Sequence, residues 1–349
     1  MTSSASPDFA SVLQSLVEGR SLPEETMREL ILAIMSGGVS EALIASLLTA
    51  LRMKPEAVSE ITGTARAMLE LASRIPTART GLLDTCGTGG DELHTFNIST
   101  ATAIVVAACE VPVAKHGNRS VSSSSGSSEV LETLGVNVQL TPEQVGACVD
   151  QIGIGFCFAP LFHSAMKHVA PIRKQLRFRT IFNLVGPLVN PAGAEYQLLG
   201  VGRPETARLL AESLRNLGRA RAIVVCGAGQ LDEVALWGET LALLVEGNQP
   251  VRELKWAPST FGLSEIQADQ LKVGSPAESA TVIKNILAGQ PGPARSIVLA
   301  NAAAALAAVG RIPVDDLAQG VAMAAHALDS GAAANKLAQL CQLSNSFQR

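Results

Sequence analysis

The chain has 349 residues, 47% of them hydrophobic and 17% charged, with a formal net charge of −4. That length exceeds a single small core and predicts two domains. The slight acidic balance excludes the basic excess of a nucleic-acid-binding domain, so no nucleic-acid partner is expected and any positive site must be local.

Residues 8 to about 72 read as four short amphipathic helices. Ser21-Leu22-Pro23-Glu24 has the form of an N-cap, a first-turn proline and a capping-box glutamate. Gly37-Gly38 ends that helix and Ser40 caps the next, where Leu43, Ile44, Leu47, Leu48 and Leu51 recur at helical spacing. Pro55 opens the fourth, which runs to about Leu71. The bundle's apolar face suits its own domain or a second copy of the chain.

From Gly81 the pattern changes to strands alternating with helices. Strand 81–86, a helix from Ser99 to 109 and strand 111–115 form a crossover unit. After a serine-rich loop, a helix ends at Leu134 with Gly135 behind it, and Val136 to Leu140 reads as a strand. Thr141-Pro142-Glu143-Gln144 starts another helix with a capping box, and Phe156 to Ala159 is a strand. Residues 163–185 read as helical, 186–191 as a stiff loop, 197–202 and 222–226 as strands, and 276 onward as mainly helical. The alternation predicts an α/β class protein with a largely parallel sheet covered on both faces. Cysteines 86, 109, 148, 157, 226 and 341 have no CxxC or CxH spacing, so reduced thiols are expected and no zinc site. The N-terminus lacks a basic-then-apolar signal, and the longest apolar run, Ser296 to Val309, is broken by Asn301. A cytoplasmic protein without a membrane partner is the expectation.

Four stretches carry chemistry. Asp84-Thr85-Cys86-Gly87-Thr88-Gly89-Gly90-Asp91 joins a strand to the helix near Ser99, and its glycines let the backbone approach a ligand. The free N–H groups of the helix's first turn suit phosphate oxygens, with Asn97, Ser99 and Thr100 adding side-chain oxygens. The spacing is neither that of the dinucleotide loop nor that of the P-loop. Lys115-His116-Gly117-Asn118-Arg119-Ser120-Val121-Ser122-Ser123-Ser124-Ser125-Gly126-Ser127 follows a strand end, where open α/β sheets bind ligands. Its cations and hydroxyls suit an oxyanion-rich sugar, with His116 in an ordering role. Asp232-Glu233 can hold Mg²⁺, which takes a few carboxylates together with waters and phosphates. In the basic stretch 166–180 an arginine could clamp a carboxylate, and the residues alone do not choose among Arg173, Arg177 and Arg179.

With the further stretches Thr95-Phe96-Asn97-Ile98-Ser99-Thr100 and Arg179-Thr180-Ile181-Phe182-Asn183-Leu184-Val185-Gly186-Pro187-Leu188-Val189-Asn190-Pro191, the sequence resembles the anthranilate phosphoribosyltransferase family over nearly its whole length. The resemblance implies a nucleoside phosphorylase/phosphoribosyltransferase-like fold: a small N-terminal helical domain beside a larger doubly wound, mostly parallel α/β domain. Residues 1–77 with about 163–190 would form the helical, dimerising part, and 78–162 with 191–349 the α/β part. It further implies that phosphoribosyl diphosphate meets Gly87, Gly90, Asp91, Thr95, Asn97, Ile98, Ser99, Thr100, Lys115, His116, Gly117, Asn118, Arg119, Ser120, Val121, Ser122, Ser123 and Ser127. Anthranilate would face Gly87, Asn118 and Arg173, and Mg²⁺ would meet Ser99, Asp232 and Glu233. Lys115, Asp232 and Glu233 would serve the reaction directly, and a homodimer is implied.

Departures from the family pattern are few. Glu92 and Arg177 stand where glycine is usual, Ser124 where lysine is common, Ser128-Glu129 where Ala-Asp is frequent, and Ser164 where proline is usual. The implied reaction is displacement at the ribose C1, with diphosphate leaving as the arylamine attacks the opposite face. Rival readings are a pyrimidine nucleoside phosphorylase-like enzyme, disfavoured by the Asp232-Glu233 pair and the shorter chain, and a non-catalytic paralogue.

Overall fold

The computed structural model describes residues 8–119 and 126–347. Candidates Ser120, Val121, Ser122 and Ser123 lie outside the described residues, as does Ser124.

Four helices come first: α1 (Phe9–Val17), α2 (Glu24–Met35), α3 (Glu41–Met53) and α4 (Val58–Leu71). Ser40 caps α3 as expected, its hydroxyl accepting the Leu43 N–H. The expected cap at Ser21 does not form. Pro23 takes the N-cap position of α2, and the Ser21 hydroxyl accepts from Lys54 Nζ at 3.3 Å. The reason lies across the bundle. The buried Glu60 carboxylate accepts from Lys54 Nζ at 2.8 Å and from the Leu22 N–H at 2.9 Å. That ties residues 21–22 to the start of α4 before α2 can begin.

The alternating part runs β1 (Leu83–Gly87), α5 (Ile98–Ala108), β2 (Val113–Gly117), α6 (Ser127–Thr133), α7 (Pro142–Ile152), β3 (Ile154–Phe158), α8 (Ala159–Phe162), α9 (Ala170–Leu176), α10 (Ile181–Val185), β4 (Tyr196–Gly200), α11 (Pro204–Asn216), β5 (Arg221–Gly227), β6 (Thr240–Glu246) and β7 (Arg252–Trp256). Helices α12 (Pro276–Leu287), α13 (Pro293–Ala308), α14 (Leu317–Asp329) and α15 (Ala332–Ser346) complete the chain. The strands form one sheet in the order β3-β2-β1-β4-β5-β6-β7. Its first five strands pair in parallel, while β6 and β7 are antiparallel additions at the edge. Val136 to Leu140 is not a strand. Val136, Val138 and Leu140 are buried, but Asn137 is held by Ser344 of α15 through both side chain and main chain and joins no ladder.

Alternation along β5 and β6 divides the core. Ile223, Val225, Ala242 and Leu244 face a cluster that includes residues of α5, α7 and α12–α15. Ala222, Val224, Leu243 and Val245 face the other way, toward α11 and the N-terminal bundle. Val169, Ile172, Ile181, Phe182 and Val185, from the segment around α9 and α10, join that second cluster. The chain winds outward from β1 through β2 to β3, then returns to β4 on the other side of β1. This reversal leaves a crevice beyond the carboxyl ends of β1 and β4, the usual ligand position in such sheets.

Candidate active site

At that crevice β1 and β4 end in register on Gly87 and Gly200. A Cβ on either glycine would collide with Asp232, with its carboxylate at Gly87 and its backbone carbonyl at Gly200. The two hydrogen side chains are what let the segment after β5 lie across the strand ends. The Gly89 N–H donates to Asp232 Oδ2 at 2.8 Å, joining the glycine turn to the acidic pair. Gly89 and Gly90 take φ of 63° and 73°, which a non-glycine residue would adopt only with strain. Asp91 turns inward, its Oδ1 accepting the Leu93 N–H at 3.1 Å.

The turn leads to the N-terminus of α5, capped by Asn97, whose Oδ1 accepts the Thr100 N–H at 3.1 Å. Ser279 of α12 accepts the Asn97 N–H at 2.9 Å and fixes the cap from behind. Thr95 is partly exposed, whereas the side chains of Ile98 and Thr100 are buried, so these two can offer only main-chain groups to a ligand. Ser99 remains partly exposed, and its hydroxyl accepts from Lys115 Nζ at 3.0 Å. Lys115 is buried under the turn and also donates to the Thr85 carbonyl. Burial lowers its pKa, opposed by Asp84, Cys86, Glu233 and Asp232. Its Nζ thus reaches the cleft by way of the Ser99 hydroxyl.

Both acids titrate upward. Burial, then the neighbouring Asp91 charge, pushes Asp232 up to about 7, while the Gly89 N–H opposes the shift. Burial and the Asp232 charge raise Glu233 well above the usual carboxylate range, with Lys115 and the Ser99 N–H pulling the other way. Without a cation beside them both carboxyls are thus biased toward the protonated form, and a divalent ion meeting Ser99, Asp232 and Glu233 would favour their ionisation. Among the described residues no three His, Cys, Asp or Glu side chains form a ready metal cage. Two carboxylates and a hydroxyl nevertheless suit Mg²⁺, which keeps several waters and takes further oxygens from substrate phosphates.

The second wall comes from β2. Gly117 is required there, since a Cβ would strike the Ser127 hydroxyl. Ser127 donates to the Asn118 carbonyl at 3.3 Å, and Asn118 Oδ1 accepts the Arg119 N–H at 2.8 Å. Arg119 turns to Glu132 at 3.0 Å and stacks over Phe158 at 5.8 Å. His116 is buried beside His163, ring centroids 5.3 Å apart, and neither Nε2 has a hydrogen-bond partner among the described residues. Burial lowers their pKa values to about 3 and about 4, so both rings are neutral and weakly basic at pH 7.

The three arginines left open by the sequence separate in space. Arg173 is half-buried, stacks on Phe182 at 5.6 Å and donates to Asn183 Oδ1 at 3.1 Å. Arg177 ends α9 in the left-handed conformation with an exposed side chain. Arg179 grips the glycine turn, donating to the carbonyls of Thr88 and Gly89 at 3.0 Å each. The sequence assigns no role to that grip, to His163, or to Asp84 and Asn190 within the stretches quoted for them. Asp84 is fully buried, with Oδ1 accepting the His116 N–H at 3.0 Å, and Asn190 donates to the Ala114 carbonyl at 2.7 Å. A carboxylate inside an apolar strand was the available signal for Asp84. For the others the signal exists only in three dimensions.

Comparison with known proteins places this geometry. The helical bundle domain of the glycosyl transferase family matches residues 10–72, and the a/b domain of that family matches residues 79–334. The anthranilate phosphoribosyltransferase of Desulforamulus reducens is 50% identical over 335 residues, 96% of each chain. The crystal structure of the Thermus thermophilus enzyme of that name superposes with a TM-score of 0.89 at 42% identity, covering 96% of this chain and 99% of that one. The Saccharomyces cerevisiae enzyme in complex with PRPP and Mg superposes with a TM-score of 0.88 at 26% identity, covering 98% and 99%. The yeast enzyme has also been solved in complex with 4-fluoroanthranilate. On identity, coverage and fold together, the chain belongs to the anthranilate phosphoribosyltransferase family.

Proposed function

We propose that this chain transfers the 5-phosphoribosyl group of phosphoribosyl diphosphate to the amine of anthranilate, releasing diphosphate, as a step of tryptophan biosynthesis. The observation that carries the reading is the convergence of the glycine turn, the α5 N-terminus, buried Lys115 and the Asp232-Glu233 pair at the reversal point of the sheet. Phosphoribosyl diphosphate would lie against Gly87, Gly90, Asp91, Thr95 and residues 97–100, with residues 115–119 and Ser127 on the opposite side. Anthranilate would meet Gly87, Asn118 and Arg173. Ser99, Asp232 and Glu233 would hold Mg²⁺, which when bound would supply positive charge toward the diphosphate oxygens.

In the displacement the C1–O bond to diphosphate breaks as the amine nitrogen bonds to C1, and the nitrogen then loses a proton to water. The arylamine is already neutral at pH 7, so no base is needed to expose its lone pair. The two buried histidines are too weakly basic for that work. What the chain supplies is a fixed field of N–H groups and cations aimed at the leaving group, and an aligned pair of reactants. The bundle, with α9 and α10 packed on it, would form a homodimer contact. The test is a fluorescence assay of anthranilate with phosphoribosyl diphosphate and Mg²⁺. Loss of anthranilate fluorescence that needs both the sugar and the metal is expected. No consumption under any metal condition would overturn the reading in favour of a non-catalytic paralogue or another acceptor.

A further inference from the structure

Asn301 is the one strongly polar side chain in the buried run Ile297–Ala308 of α13, and it is fully buried. A polar amide in such a place is costly unless its donors and acceptor are all used. Here they are. Oδ1 accepts the Val234 N–H at 2.9 Å, and Nδ2 donates to the Val234 carbonyl at 3.2 Å and to the Ile297 carbonyl at 2.9 Å. One side chain thus satisfies both backbone groups of Val234, as a neighbouring strand would.

Val234 directly follows Asp232 and Glu233, and the rest of that segment is equally confined. Leu231 exchanges two hydrogen bonds of 2.8 Å with Gly227, and the Ala235 N–H donates to the buried Thr240 hydroxyl at 3.0 Å. On the sheet side there is no clearance. A Cβ at Gly200 would collide with the Asp232 carbonyl, and one at Gly227 would come within 2.5 Å of the Glu233 carbonyl. The glycines stop the segment moving toward the strand ends, and Asn301 stops it lifting away. The backbone that carries both carboxylates is therefore held from both sides, although it is neither helix nor strand.

We infer that Asn301 is a positioning residue for the reaction: through Val234 it sets where the Asp232 and Glu233 carboxylates stand toward the metal and the diphosphate. This rests on the proposed transfer reaction, but the geometry it predicts is measurable without turnover. In the wild-type protein, hydrogen exchange followed by mass spectrometry should find the amides of Val234 and Ala235 as protected as those of the central strands. Rapid exchange there, at the rate of exposed loops, would overturn the inference whatever the activity. Asn301→Ala should then lose that protection. It should also raise the Mg²⁺ concentration for half-maximal rate at least tenfold and lower kcat at least tenfold, with KM for anthranilate within twofold.

Ser344→Ala is the control. It also removes a buried side-chain acceptor for a backbone N–H, that of Asn137, far along the chain from the acidic pair. It should leave the metal dependence, kcat and the exchange of Val234 and Ala235 as in the wild type. If Asn301→Ala changed metal dependence and kcat no more than Ser344→Ala does, the residue would be structural only and the inference wrong. Should Asn301→Ala fail to fold, the wild-type exchange decides. A wild type that turns over no anthranilate would strike at the proposed function and leave the exchange result standing.

Discussion

Arg177 and Glu92 occupy positions where a side chain is a handicap: both adopt left-handed backbone, at φ of 57° and 62°. These are the two places where the family resemblance leads one to expect glycine, and the conformation supplies the reason. Arg177→Gly should relieve about 1–2 kcal/mol of strain and give back roughly half of it in unfolded-chain entropy. A net gain of about 0.5–1 kcal/mol is expected in chemical denaturation, with kcat unchanged. Arg173 tests the acceptor side. If its guanidinium pairs with the acceptor's carboxylate as proposed, Arg173→Ala should raise the apparent KM for anthranilate at least tenfold and leave that for phosphoribosyl diphosphate within about twofold in steady-state kinetics. The buried histidines give a pH signature. Their folded pKa values, about 3 for His116 and about 4 for His163, lie below the unfolded value. Between pH 4 and 6.5 the unfolded state binds more protons, so each ring costs stability as pH falls. His163→Phe should remove about 2 kcal/mol of the loss between pH 7 and pH 5, read from urea midpoints at the two pH values. The glycine turn, Lys115 and the acid pair were legible because their chemistry is local in sequence. Asn301 was visible only as an interruption in an alanine run, since its partner Val234 is 67 residues away.

At the scale of elements, local signals succeeded where the cap is made within four residues. Thr141 accepts the Gln144 N–H at 3.3 Å, and Gln144 Oε1 accepts the Thr141 N–H at 2.9 Å, the capping box read from the sequence. Thr141→Ala should cost about 1 kcal/mol in thermal or chemical denaturation. Activity should persist, because α7 packs on β3 and carries no residue of the cleft. The signals failed where a distant partner competed. Ser21 was drawn to Lys54, and the alternating Val136–Leu140 buried its apolar side while Asn137 bonded Ser344 in place of a strand. Residues 240–246 are illegible for another reason: between Thr240 and Glu246 the run Leu-Ala-Leu-Leu-Val is continuously apolar, and periodicity cannot separate a buried strand from a helix segment. Their pairing with β5 and β7 gives the parallel sheet its antiparallel edge.

Across the molecule, one sheet sets everything else. Its reversal between β1 and β4 makes the crevice, glycines at both strand ends admit Asp232, and α5, α12 and α13 steady the surrounding segments from one face. The opposite face carries α11 and the bundle, where Val17 and Met53 are 69% and 82% exposed. If the bundle is the dimer contact, Val17→Asp with Met53→Asp should shift the protein from dimer to monomer in sedimentation velocity. A wild-type monomer would dismiss that part of the proposal. The most direct test of the central claim is a crystal structure of this chain with phosphoribosyl diphosphate and Mg²⁺. The account predicts the diphosphate between the Gly87–Thr100 turn and the Asp232-Glu233 pair, with C1 open toward Asn118. Diphosphate density away from that turn, with the carboxylates uninvolved, would contradict it.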